Sequence, residues 1–147
     1  MIGSTDESTI EKLLKDHRVL MDYICSVREW IRDVSEWGMP RFGELGTRLT
    51  TFRETLAAHF EDEESQEYAI LDSQHEPAVA GATREWPNLH HDYLKQLDVL
   101  VQCLRALEPE FETWQEAVRQ VDTLITEICE HEDREIQFLQ NSLSQTK

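Results

Sequence analysis

Glycine and proline are scarce, at 5 and 4 of 147 residues, and no alternating apolar–polar run of useful length suggests a strand. Cysteine is equally rare. Cys25, Cys103 and Cys129 are odd in number and lack C-x-x-C spacing, a pattern that predicts reduced, mostly buried thiols in a cytoplasmic protein. Long apolar runs are missing too, so no membrane-spanning segment is expected. Met1 to Ser8 is polar and lacks the apolar stretch of a signal peptide. Positive charge is in short supply: 14 Lys and Arg stand against 30 Asp and Glu, a net charge of −16. Such a surface repels phosphate backbones and anionic lipid, so neither nucleic acid nor a membrane is an expected partner. Internal carboxylates offset by bound cations would account for part of that charge. A mass of 17.3 kDa suffices for one domain with its own core.

The few glycines and prolines cluster and so punctuate the chain. Gly38 to Gly43 forms one break, Pro77, Gly81 and Pro87 mark a second, and Pro109 marks a third. Between them apolar residues recur at three- and four-residue steps, the mark of amphipathic helices. The expected helices cover about 9–37, 40–71, 86–107 and 109–140. Thr9 is a weak N-cap for the first, and Pro109 suits the first turn of the last, where a missing N–H costs nothing. The connection of about 72–85 is long, and is expected to hold a short helix around Ala78 to Ala82 or to act as a lid. The predicted fold is all-α: a single domain over 1–147, an antiparallel up-down-up-down four-helix bundle.

Polar residues interrupt the apolar stripes at core positions. His17 lies one heptad from Ile10 and from Ile24. Leu45, Leu49, Phe52 and Leu56 lead in steps of four and three to His59 and Glu63. Val118, Val121, Ile125 and Ile128 lead in the same way to His131 and Glu135. The heptad mates of His90 are Leu97 and Leu104, whereas those of His91 are Asp98 and Arg105, so His90 should face inward and His91 outward. With an inward stripe of 3 positions in 7, one inward histidine per helix would arise by chance about one time in 30. In an up-down-up-down bundle all four histidines lie about 6–17 Å from the same end, at about 1.5 Å per residue. His17, His59, Glu63, His90, His131 and Glu135 can therefore meet in one core pocket.

Burying two carboxylates among histidines is expensive unless a cation compensates them. Imidazole with carboxylate suits Fe, Mn or Zn. Spacing of H-x-x-x-E places both donors on one helix face, and four His with two Glu fit two metals about 3.5–4 Å apart, with bridging carboxylates and open positions. The bland alternative is a metal-free network of hydrogen-bonded core histidines. Tyr93 is expected to be a packing residue. Glu64, Glu132 and Asp133 are expected at the surface or as outer partners of the ligands, and Trp30, Trp37, Trp86 and Trp114 as core or bundle-end packing. His91 and His75 are further candidates if the third helix starts in another register.

The series Asp16-His17-Arg18-Val19-Leu20, His59-Phe60-Glu61-Asp62-Glu63-Glu64, His90, and His131-Glu132-Asp133-Arg134-Glu135 resembles the hemerythrin-like, His/His-Glu cation-binding domain. The resemblance covers about residues 10–139. It implies a non-haem di-iron centre, oxo- or hydroxo-bridged, ligated by His17, His59, Glu63, His90, His131 and Glu135. Oxygen-carrying members have a second histidine where this chain has Leu94, and an aspartate where it has Ile136. The four-His, two-Glu set is similar instead to iron-centre repair proteins and related bacterial or sensory domains. That implies a more open site reacting with dioxygen, peroxide or nitric oxide, in sensing or detoxification. The alternatives are iron storage or donation for iron–sulfur centre repair, and a metal-stabilised protein-interaction module. A ferritin-type site would need Glu-x-x-His, and no histidine here has a glutamate three residues before it.

Overall fold

The computed structural model describes residues 4–67 and 77–145. Among them are four α-helices and no strand: α1 Ser4–Trp37, α2 Phe42–Asp62, α3 Pro77–Arg105 and α4 Trp114–Gln145. A five-residue π-helical turn, Glu63–Glu67, continues α2. No helix among the described residues is long and apolar enough to cross a membrane.

The ends of these helices have local causes. Gly38 closes α1 in the left-handed region at φ 72°, and its N–H donates to the Val34 carbonyl at 3.2 Å, a glycine cap that a side chain would strain. The expected start at Thr9 is corrected: α1 begins at Ser4 and Thr9 lies inside it. The expected break at Pro87 is also corrected. α3 runs through Pro87 and begins at Pro77, so the anticipated short helix at Ala78 to Ala82 is its first part. Pro77, rather than Pro109, occupies the helix start, where a missing N–H is harmless. α4 starts five residues later than expected because Thr113 caps it, its Oγ1 accepting from the Glu116 N–H at 3.1 Å. The second helix was expected to reach Leu71; its α-helical part ends at Asp62, and residues 68–71 lie outside the described residues.

Packing buries the predicted stripes. Ile24, Val27, Leu49, Leu56, Leu97, Leu104, Val121 and Ile128 all belong to one buried cluster. α2 lies against α3 so closely that a Cβ on Gly46 would stand 3.3 Å from the Leu104 Cβ. α1 meets α4 through Arg28, which donates to Asp122 at 3.1 Å and Thr126 at 3.0 Å, and through Trp114 Nε1, which donates to Ser35 Oγ at 2.9 Å. Tyr23 joins α1 to α2 by donating to the Arg48 carbonyl at 3.2 Å.

Two expectations about packing fail. Cys25 is exposed and Cys103 and Cys129 are only half-buried. Cys25 stands one position off the Ile24 stripe, which puts it on the flank of α1. Trp37, at the last residue of α1, is 61% exposed, with the Arg41 guanidinium over its ring at 5.5 Å.

Candidate metal centre

All four helices contribute to one buried polar cluster. α1 supplies His17, α2 supplies His59, the π-turn opens with Glu63, α3 supplies His90, and α4 supplies His131, Glu132 and Glu135. Of these side chains only His17 reaches 12% exposure; the other six are buried. The six sequence-predicted residues are thus brought together. His91 is exposed, as its charged heptad mates require, and His75 lies outside the described residues.

The donors fall into two triads. In the first, Glu132 Oε2 lies 2.8 Å from His59 Nε2 and 3.2 Å from His17 Nδ1. In the second, His90 Nε2 is 2.8 Å from Glu135 Oε1, His131 Nε2 is 2.9 Å from the same oxygen, and the two nitrogens are 2.9 Å apart. Glu63 Oε1 stands 2.6 Å from His59 Nε2. Donor atoms of Glu63, His90, Glu132 and Glu135 also lie within 4.8 Å of one another, so carboxylates occupy the space between the triads.

Glu132 is the residue that sequence reasoning misplaced. It was expected at the surface or as an outer partner, yet it is 0% exposed and stands in the first triad. A signal existed: its heptad mates are Ile125 and Val118. Adjacent residues point about 100° apart on a helix. His131 and Glu132 can therefore serve different triads from one turn of α4.

The second triad is spaced for hydrogen bonds, and its shape also suits a cation. Its three atoms form a nearly equilateral triangle, and each shared proton can point along only one edge. A metal held about 2.1 Å from each donor would set cis donors about 3.0 Å apart in an octahedron, or about 3.4 Å in a tetrahedron. The observed edges of 2.8–2.9 Å lie near the octahedral spacing and equally within hydrogen-bond range. Among the described residues Glu63 Oε2, Glu132 Oε1 and His131 Nδ1 are buried without a hydrogen-bond partner. Orphaned buried carboxylate oxygens are costly, and a cation removes that cost. Buried His/Glu groups of this kind could hold a metal ion.

Burial sets the protonation of the second triad. It pushes the Glu135 carboxyl up to about 9, against a smaller opposing pull from His59. Burial, with His131 adding to it, pushes His90 down to about 3, and burial pushes His131 down to about 4. The first triad behaves differently. Burial would raise Glu132, but hydrogen bonds from His17 and His59 outweigh it and hold the carboxyl well below the usual range.

Apolar groups wall the cluster: the Trp86 ring stands edge-on to His131 at 5.8 Å, and the buried Tyr93 ring is 5.7 Å from the same imidazole. Two clefts approach from outside. One, of about 210 Å³, includes Asp16, Asp62 and His59; the other, of about 500 Å³, includes Glu64, His91 and His90. Compared with known proteins, the chain matches no family model, no curated protein and no solved structure.

Proposed function

We propose that this chain is a non-haem di-iron protein of the hemerythrin-like kind, an antiparallel up-down-up-down bundle that binds or reacts with dioxygen, peroxide or nitric oxide. The observation that carries this reading is the pair of two-histidine, one-carboxylate triads sharing a buried core with Glu63. That donor set on one face of a coordination sphere suits ferrous iron and leaves positions open. Helix order is part of the same reading: the α1–α4 partners His17–Glu132, Arg28–Asp122 and Ser35–Trp114 step down α4 as they step up α1.

His17, His59 and Glu132 would hold one ion, His90, His131 and Glu135 the other, with Glu63 between them. When bound, iron supplies open positions and a ferrous–ferric couple for small oxidants. The chain's own residues prepare the site. Burial leaves His90 and His131 neutral at pH 7, so their nitrogens are available as donors. Glu135 holds a proton at neutral pH and must release it to become an anionic donor. Trp86, Tyr93 and the apolar stripes below exclude bulk water from the second triad.

Loading the metal-free protein with ferrous iron under anaerobic conditions tests the reading. Two irons per chain are expected, followed by visible charge-transfer absorption in air that changes on adding peroxide or nitric oxide. A folded protein that retains no iron, or whose bound iron stays spectrally inert to all three oxidants, refutes it.

A further inference from the structure

His90 is held on three sides. Its Nε2 faces the cluster, 2.8 Å from Glu135 Oε1 and 2.9 Å from His131 Nε2. One ring face lies parallel to Phe60, with centroids 3.7 Å apart and planes 1° from parallel. Nδ1, the other ring nitrogen, stands 3.7 Å from Glu64 Oε2. Glu64 follows Glu63 in the π-turn, so one turn sends successive carboxylates to two places: Glu63 into the core and Glu64 to the outer side of His90. Such π-turns occur often at functional sites. The turn lies on the 500 Å³ cleft between α2 and α3, to which Glu64 and His90 both contribute.

We propose that Glu64 is the positioning carboxylate of His90: it draws the imidazole proton onto Nδ1 and so leaves the Nε2 lone pair facing the cluster. A neutral imidazole carries one N–H, and the partner of one nitrogen decides which nitrogen is left to donate its lone pair. A separation of 3.7 Å is longer than a hydrogen bond. The Glu64 side chain is 37% exposed, and a turn about its own torsions, or one bridging water, closes the gap. The stack on Phe60 fixes the ring plane, so Glu64 has to choose only between the two nitrogens of an already oriented ring. The inference depends on the metal-centre reading for its purpose, but the tautomer is a property of the metal-free protein as well.

Side-chain nitrogen NMR of the full chain at pH 7 tests this in wild type, Glu64→Ala and Glu64→Gln. In the metal-free protein the fraction of His90 carrying the proton on Nδ1 should fall in Glu64→Ala and be retained in Glu64→Gln, whose amide oxygen still accepts. The same tautomer fraction in all three overturns the proposal, whatever the metal does. Competition with a chelator after zinc loading is the second arm. The second zinc should be lost about 10–100-fold more readily from Glu64→Ala, and retention equal to wild type overturns the positioning role in metal binding. A shifted tautomer together with failure of every variant to bind zinc would support the Glu64–His90 contact and refute the metal reading instead.

Discussion

Glu132 shows what a single side chain contributes to the cluster. It is the only carboxylate of the first triad and accepts from both of that triad's histidines. Without it, His17 and His59 would offer a cation two imidazoles and whatever share of Glu63 the second triad leaves. Under the proposed dinuclear reading, Glu132→Ala should therefore reduce metal from two ions per chain to one, by elemental analysis; two retained ions would remove Glu132 from the ligand set. Glu63→Ala and Glu135→Ala should each lower the content below two as well. Titration of the metal-free protein provides a second residue-scale prediction. Glu135 keeps its proton to about pH 9 when folded, against an ordinary value of 4.5. Between those values the folded state binds more protons than the unfolded one, so this group makes stability fall as pH rises. His90 and His131, at about 3 and about 4, lie below their ordinary 6.5. Over that lower range the unfolded state binds more protons, and two histidines outweigh one glutamate, so stability rises with pH. These three groups place the optimum at about pH 6.5. Urea midpoints of the metal-free protein should peak there and decline toward pH 9, and Glu135→Gln should abolish the decline. A flat profile from pH 6.5 to 9 in wild type would contradict the buried, protonated Glu135.

At the scale of elements, the boundaries depend on single polar contacts. α4 begins where Thr113 satisfies the Glu116 N–H, an otherwise orphaned donor of the first turn. Thr113→Ala should cost about 1 kcal/mol, read as a lower urea midpoint, while Thr113→Asn should restore most of it. Equal midpoints for wild type and Thr113→Ala would mean the cap contributes nothing. The same contact explains what was legible in the sequence. Heptad phase located the helices and turned His17, His59, Glu63, His90, His131 and Glu135 inward, because burial of a stripe depends on spacing alone. Boundaries were less legible. Pro109 reads as a helix start, yet α4 begins only at Trp114, where the Thr113 hydroxyl accepts from the Glu116 N–H. Pro87 reads as a break, yet α3 continues through it. Glu132 was missed for a different reason: a stripe on a long helix is wide enough for two neighbours. Leu124 and Ile125 are both buried one heptad earlier, and that pair foreshadows His131 with Glu132.

Among the described residues the buried interior has one polar cluster and an apolar remainder, and metal should act on them unequally. Among the described residues the cluster draws on His17, the junction of α2 with its π-turn, the early part of α3 and the later part of α4. Away from it, Val34, Leu45, Leu49, Leu104 and Ala117 are almost wholly buried and need no ion. Phe42 packs edge-on to Trp114 at 5.5 Å in that apolar remainder. Stabilisation by a ligand that binds only the folded state grows as about 4.1 kcal/mol at a thousandfold excess over Kd. Chelation should therefore lower the melting temperature, but the apolar remainder should survive it. The net charge of −16 points the same way: cations inside a strongly acidic chain relieve repulsion that salt would otherwise have to screen. Hydrogen exchange of metal-loaded and chelated protein separates local from global effects. Amides around His59–Glu63, His90 and His131–Glu135 should lose protection on chelation, while those around Leu45–Leu49 and Ala117–Val121 stay slow. Uniform loss along all four helices would mean that the ion supports the whole fold, and no loss anywhere would mean that the cluster is stable without it and the case for a resident metal fails.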